Sequence, residues 1–231
     1  MCMDVTLAVF VPSACKKIRK ALPRLLTGED FCDIIMKQRK ETMAMSHPFL
    51  HFRTITRHRH RVIAHCFRAG IGWQGLFHDL SKYSPVEFVP GARHYQGTRS
   101  PNERERELYG YSLAWMHHKG RNRHHFEYWV DLNPASKQYE PVRMPLRYVK
   151  EMFCDRVAAS KIYQGEKYTD QHPETYFLRG SAGKKMHPDT AALLASWLRM
   201  LSEKGEAETF HYLKSLANDA TYGEDASVNE G

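Results

Sequence analysis

Several things are scarce in this sequence. Five cysteines (Cys2, Cys15, Cys32, Cys66, Cys154) are scattered over 231 residues. None forms a close pair of the sort zinc knuckles, redox motifs or secreted disulfide scaffolds need, so a reducing cytoplasm is expected. No apolar run approaches the roughly 20 residues required to cross a bilayer, which argues against a membrane role. The apolar patch Val5–Val11 precedes the basic cluster Lys16, Lys17, Arg19 and Lys20, the reverse of a secretory signal. There is no glycine loop to cradle phosphate, no base-reading signature, no internal repeat and no alternation arguing for strands in quantity. Acidic residues are outnumbered, 26 against 34 lysines and arginines, and the resulting net charge of +8 favours anionic partners. Histidine is abundant instead. There are 14, most of them between His47 and His125.

Hydrophobic periodicity predicts an all-α protein. Residues 1–46 carry no sustained period and read as a poorly patterned N-terminal extension. Met43 and Met45 stand just before the patterned region, as an extension from an early start codon would leave them. A single helical domain is expected over 47–218, followed by a polar, disordered tail over 219–231. Helices are predicted at Thr54–Ala69, where His58, Val62, His65 and Ala69 share a face, and at Trp73–Lys82, where Trp73, Leu76, Phe77 and Leu80 form an apolar stripe expected in the core. Ser84-Pro85-Val86-Glu87 and Ser100-Pro101-Asn102-Glu103 have the composition of capping boxes. The second is expected to open a helix running to Lys119. A loop is expected around His172-Pro173. Further helices are predicted over Pro145–Tyr163, Pro188–Lys204 and Glu206–Asn218. On the first of these, Asp155 interrupts the stripe Tyr148, Met152, Ala159, Ile162. A buried carboxylate is costly unless paired, hydrogen-bonded or metal-bound.

Metal binding accounts for these polar insertions together. Imidazole and carboxylate suit borderline first-row divalent ions. His58, His78, Asp79 and Asp155, drawn from several helices, can converge on one ion and leave positions open for water and substrate. An ion there acidifies water. His65 lies roughly 10 Å from His58 along the helix axis, too far to share that ion, and is assigned to packing or substrate contact. Lys82, beside the His-Asp pair, is placed to meet a phosphate, with Arg121 and Arg123 as further candidate substrate contacts.

The order His58, then His78-Asp79, then Asp155 resembles the HD-domain superfamily of metal-dependent phosphohydrolases. His58-Arg59-His60-Arg61-Val62 resembles that family's first-helix pattern. His78-Asp79-Leu80-Ser81-Lys82 resembles its His-Asp-aliphatic-Gly-Lys, with Ser81 in place of glycine. Gly70–Tyr128 also resembles a group of small bacterial and phage-associated proteins. The resemblance implies a helical bundle binding one or two divalent ions (Mn, Fe, Zn or Mg), with Asp79 bridging two. His117, His118, His124 and His125 are the candidates for the second ion. Adjacent helical residues point about 100° apart, so His117 and His118 do not serve equally, and His118 is favoured.

The expected activity is hydrolysis of a phosphomonoester or phosphodiester, the substrate being a nucleotide or another phosphorylated small molecule. Asp79 and Lys82 are then the catalytic residues. A di-iron oxygenase on the same ligand set is one alternative. A non-enzymatic nucleic-acid-binding surface over Arg121–Trp129 is another.

Overall fold

Proline at N1 costs no hydrogen bond and pre-sets φ, so a helix can open there. In the computed structural model, which describes residues 46–223, α1 opens in this way and spans Pro48–Arg68. It begins earlier than the Thr54 start expected from periodicity, because His51 and Ile55 extend its buried face by another turn. The expected N-terminal extension lies outside the described residues apart from Ser46, as does the tail beyond residue 223.

The chain continues through α2 (Gly72–Leu76), α3 (Pro85–Arg93), α4 (Pro101–Tyr109), α5 (Leu113–Lys119), α6 (Leu146–Gln164), α7 (His172–Arg179) and α8 (Pro188–Ser215). Short 3-10 turns link several of them, notably Leu80–Tyr83. The described residues contain one small sheet. In it β1 (Val130–Leu132) pairs antiparallel with β2 (Tyr139–Pro141), Asp131 opposite Glu140. The protein is all-α in class. Among the described residues no helix is long and apolar enough to cross a membrane.

α1 packs against α6, α2 and α3, and α6 and α8 complete the core. Val62 and Cys66 of α1 meet Val149, Phe153 and Val157 of α6 and Leu194, Trp197 and Leu201 of α8. Truncating a fully buried aromatic such as Phe153 would cost about 3–5 kcal/mol. The fully buried Lys150 donates from Nζ to the carbonyl oxygen of Leu216 at 2.9 Å and to Asn218 Oδ1 at 2.8 Å. It also donates to the Ala69 carbonyl oxygen at 3.4 Å, fastening the end of α1 to the residues after α8.

Several local expectations need correction. The Trp73 stripe is not core: Trp73 is 81% exposed and Phe77 68%. Periodicity identified an apolar face without saying whether anything covers it. The predicted Trp73–Lys82 helix also breaks, because Asp79 adopts left-handed backbone (φ 54°, ψ 25°). The expected Pro101–Lys119 helix is two. Gly110 (φ 80°) closes α4, and Ser112 then accepts a bond from the Trp115 N–H to start α5. Both predicted capping boxes open helices where expected, yet neither Ser84 nor Ser100 makes a side-chain cap bond. His172-Pro173 opens α7 rather than sitting in a loop. The break expected between Lys204 and Glu206 is present as a non-helical Gly205 (φ 76°) within α8.

Candidate metal centre

The turn between α2 and α3 builds the site. Arg59 on α1 donates from its guanidinium to the carbonyl oxygens of His78, at 3.1 Å, and Leu76. These bonds hold the chain ends of a turn in which Asp79 takes a conformation that non-glycine residues rarely adopt, though aspartate tolerates it better than most. His78 and Asp79 are each 1% exposed. The left-handed turn aims the Asp79 carboxylate inward, and its two oxygens face different partners.

On one side, Asp79 Oδ2 lies 3.2 Å from His78 Nε2 and 2.6 Å from Lys82 Nζ. His78 Nε2 is 3.6 Å from Asp155 Oδ1, which accepts a 2.9 Å bond from His58 Nε2. On the other side, Asp79 Oδ1 lies 3.3 Å from His118 Nε2 and 3.5 Å from His124 Nε2. Two donor sets that share Asp79 result, His58, His78, Asp79, Asp155 and Asp79, His118, His124, His125, besides a third group of His78, His124 and Glu151. Within each set one atom per residue lies within 4.8 Å of the others.

The backs of the imidazoles are anchored by carboxylates. Glu151 Oε1 accepts from His78 Nδ1 at 2.8 Å and lies 3.2 Å from His124 Nδ1. Glu87 accepts from His117 Nδ1 at 2.6 Å and from His118 Nδ1 at 2.8 Å. These contacts leave Nε2 of His78, His118 and His124 pointing at Asp79. Those three nitrogens, His125 Nε2 and both Asp79 oxygens are buried without an aligned hydrogen bond. Carboxylate behind an imidazole and an unsatisfied Nε2 in front is the arrangement metal-binding histidines use. Imidazole and carboxylate are also the right donor types, so the residues fit one or two divalent ions.

Burial and the mutual attraction of carboxylates and imidazoles set the charges in the cluster. Burial works against charging His78, but the Asp79, Asp155 and Glu151 carboxylates outweigh it and raise its pKa well above the usual histidine range. Burial likewise opposes ionising Asp79, yet His78, Lys82 and His118 hold its carboxyl well below the usual value. For Asp155 the bonds from His58 and His78 overcome burial in the same direction. Glu151, against burial, is held down to about 2 by His124 and His78. Burial lowers the pKa values of His58 and His125. Lys82 stays protonated because Asp79 and Asp155 outweigh its burial.

Not every candidate residue arrives at the site. His65 turns away: its Nδ1 donates to the Cys154 carbonyl oxygen at 3.3 Å and its ring packs on Phe210, so it sits in the core and does not line the cavity into which the donors open. His117 bonds Glu87 and belongs to neither donor set. Arg121 and Arg123 are exposed, and Arg123 donates to Tyr148 Oη at 3.2 Å instead of facing the site. His124 is buried, and Trp129 donates to the Arg123 carbonyl oxygen at 2.7 Å, so the Arg121–Trp129 segment folds on itself.

Glu87 and Glu151 were missed by sequence reading. Glu87 reads in the sequence as a capping residue. Glu151 stands one helical turn before Asp155, a spacing that puts both carboxylates on one face and was the available signal. Ser81, where a glycine was expected, accepts from Asn122 Nδ2 at 2.9 Å and sits 3.3 Å from His118 Nδ1.

The donors open into a cavity of about 560 Å³ lined by His58, Lys82, His118, His125 and Asp155 among others. Met152, Ala159 and Ile162, expected as a core stripe around Asp155, form part of its wall. The volume is within the range of small-molecule sites.

The family profile described as "Family of unknown function (DUF5662)" matches residues 47–200. No curated protein and no solved structure matches the chain.

Proposed function

The chain belongs to the DUF5662 family, and because that family carries no assigned activity, we propose one from the donor geometry: a metal-dependent phosphohydrolase acting on a phosphorylated small molecule, with a nucleotide as one such substrate. The observation that carries this reading is Asp79, whose two oxygens face two histidine-rich donor sets at the base of a cavity that Lys82 also lines. The HD-domain resemblance of His58, His78-Asp79 and Asp155 points the same way.

His58, His78, Asp79 and Asp155 would hold one divalent ion, and Asp79, His118, His124 and His125 a second. When bound, such ions supply Lewis acidity toward a phosphoryl oxygen and acidify water at the site. Glu151 and Glu87 fix the imidazoles in the tautomer that leaves Nε2 free, so the donors need little reorganisation. Lys82 keeps a fixed positive charge beside Asp79, where it stabilises negative charge accumulating on a transferring phosphoryl group. The cavity walls orient the ester and limit the water around it.

A di-iron oxygenase would use the same donors, and the histidine content of the two sets favours it. A permanently charged lysine beside Asp79 suits a phosphoester better. The nucleic-acid-binding reading ranks last, since groups of Arg121–Trp129 are engaged within the fold, Arg123 and Trp129 with Tyr148 and His124 with Glu151. The buried free thiols Cys66 and Cys154 suit a reducing compartment such as the cytoplasm.

The test is elemental analysis of anaerobically purified protein, followed by phosphoester hydrolysis by the wild type and Asp79→Ala. The expected result is one or two ions per chain, lost with turnover in the variant while far-ultraviolet circular dichroism is retained. Full metal content and activity in Asp79→Ala would overturn the assignment. Iron with an oxygen-dependent optical change and no hydrolysis would replace it with the oxygenase.

A further inference from the structure

The cavity has three cationic side chains in its wall besides histidine, and they differ in what they are bonded to. Lys82 Nζ is committed to Asp79 at 2.6 Å. Arg99 sits at the rim, bonded to Glu107 at 2.8 Å and to Gln96 at 2.6 Å. Arg156, which follows Asp155 on α6, makes no hydrogen bond or ion pair among the described residues, and its Nε is buried without a partner. Its guanidinium lies 5.3 Å from the centre of the Phe177 ring of α7, which supports one face of the group and leaves its donor edge free. Asp155 and Glu127 act on it electrostatically from nearby, but neither bonds it.

A planar fork of five donors, partly desolvated and unmatched, is the group best suited to a phosphate or carboxylate. Leaving such donors unpaired beside a cavity is unfavourable until an oxyanion occupies them. The rest of the wall mixes polar side chains, Glu103 and Glu127 among them, with an apolar and aromatic part to which Ile55, Met152, Ile162 and Tyr176 contribute. An inorganic anion alone would leave that surface unused. We propose that Arg156 is an oxyanion-binding residue of this cavity, holding a phosphate or carboxylate group of a small organic ligand whose body packs on the apolar wall.

The proposal rests on the phosphohydrolase reading for the nature of that ligand, and it takes two forms. Arg156 holds either the same acid group that meets the metal donors or a second acid group on the ligand body. Phenylphosphonate separates binding from catalysis, because its P–C bond is not an ester. 4-Carboxyphenylphosphonate adds a second acid at the far end of the ring.

Both are titrated calorimetrically into the full chain with manganese chloride present, for the wild type and Arg156→Gln. Affinity is expected to fall about tenfold in the variant, the loss of a charge-assisted pair. A fall for both ligands assigns Arg156 to the phosphonate; a fall for the carboxylated ligand alone assigns it to the second acid. Unchanged affinity for both, or no binding of either to the wild type, overturns the proposal. Arg156→Met keeps the stem against Phe177 and repeats the measurement should the glutamine variant not fold. A wild type that binds these ligands yet hydrolyses no phosphoester removes the hydrolase reading and leaves Arg156 in place. Phosphoester turnover with Arg156→Gln binding as the wild type does removes Arg156 alone.

Discussion

Two consecutive residues of α6 each take a histidine from α1. Asp155 receives His58 through its carboxylate, and Cys154 receives His65 through its backbone carbonyl. Both histidines are buried and share a helix face. His58, however, is surrounded by His78, Asp79 and Lys82 and opens on the cavity, whereas His65 lies against Phe210 beside the Val62–Phe153 core. The difference shows that a buried imidazole becomes a candidate ligand through what faces its free nitrogen. A carbonyl and an aromatic ring make it a packing group. Carboxylates and other imidazoles with unsatisfied atoms make it part of a binding site.

Removing each histidine should therefore give opposite phenotypes. His58→Ala is expected to lower divalent-ion affinity by more than the roughly 10–100-fold typical of losing an outer partner, while leaving the metal-free protein folded. His65→Ala is expected to retain the ion and lower stability by about 2 kcal/mol, through a cavity at Phe210 and an unpaired Cys154 carbonyl. Ion titration and urea unfolding of both variants measure the two axes separately. If His65→Ala loses the ion and His58→Ala does not, the roles are reversed.

Acid should expose the same contrast. Burial lowers the pKa of His65 from the usual 6.5 to about 4, against the opposing bond to Cys154. Between those values the unfolded chain binds a proton at this position that the folded chain does not. Stability from His65 is thus fully present above pH 6.5 and declines as pH falls toward 4, by up to about 3 kcal/mol. Measured by urea unfolding at pH 7 and pH 4, the wild type should lose about that much stability relative to His65→Leu, which carries no titrating group there, so that the order of the two reverses in acid. A difference independent of pH would mean that His65 titrates normally.

The part of the site that was legible in the sequence is the part fixed by helical spacing or by adjacency in the chain. His58 and Asp155 are carried by helices whose faces follow from periodicity, whereas His78-Asp79 was legible only as an adjacent His-Asp pair at the end of an apolar run. Trp73, Phe77 and Leu80 satisfied the same periodicity and are exposed, since a period records a face and not its partner. The left-handed turn at Asp79 was also unreadable: it depends on Arg59, distant in sequence, holding the carbonyls around it. Glu87 was legible as an acid at the third position of a helix, where local capping and a long-range bond to His118 compete. In the structure the long-range bond wins, and Ser84 makes no cap.

Glu151 gives the smallest effect and the finest division within the site. It lies outside the two sets that share Asp79, but it stands behind a histidine of each, bonding His78 and approaching His124. A carboxylate there orients both rings and raises their basicity as donors. Glu151→Gln keeps the size and loses the charge, and an amide that donates toward either ring opposes the tautomer with Nε2 free. Affinity is expected to fall about tenfold for both ions together, with the fold unchanged. Glu87→Gln, which among the donor histidines stands behind His118 alone, should weaken only one of two binding steps. Two-step ion titration distinguishes them: equal loss at both steps in Glu151→Gln and at one in Glu87→Gln supports two sites joined through Asp79, whereas a single unchanged step in both variants would mean that these carboxylates serve packing and not metal.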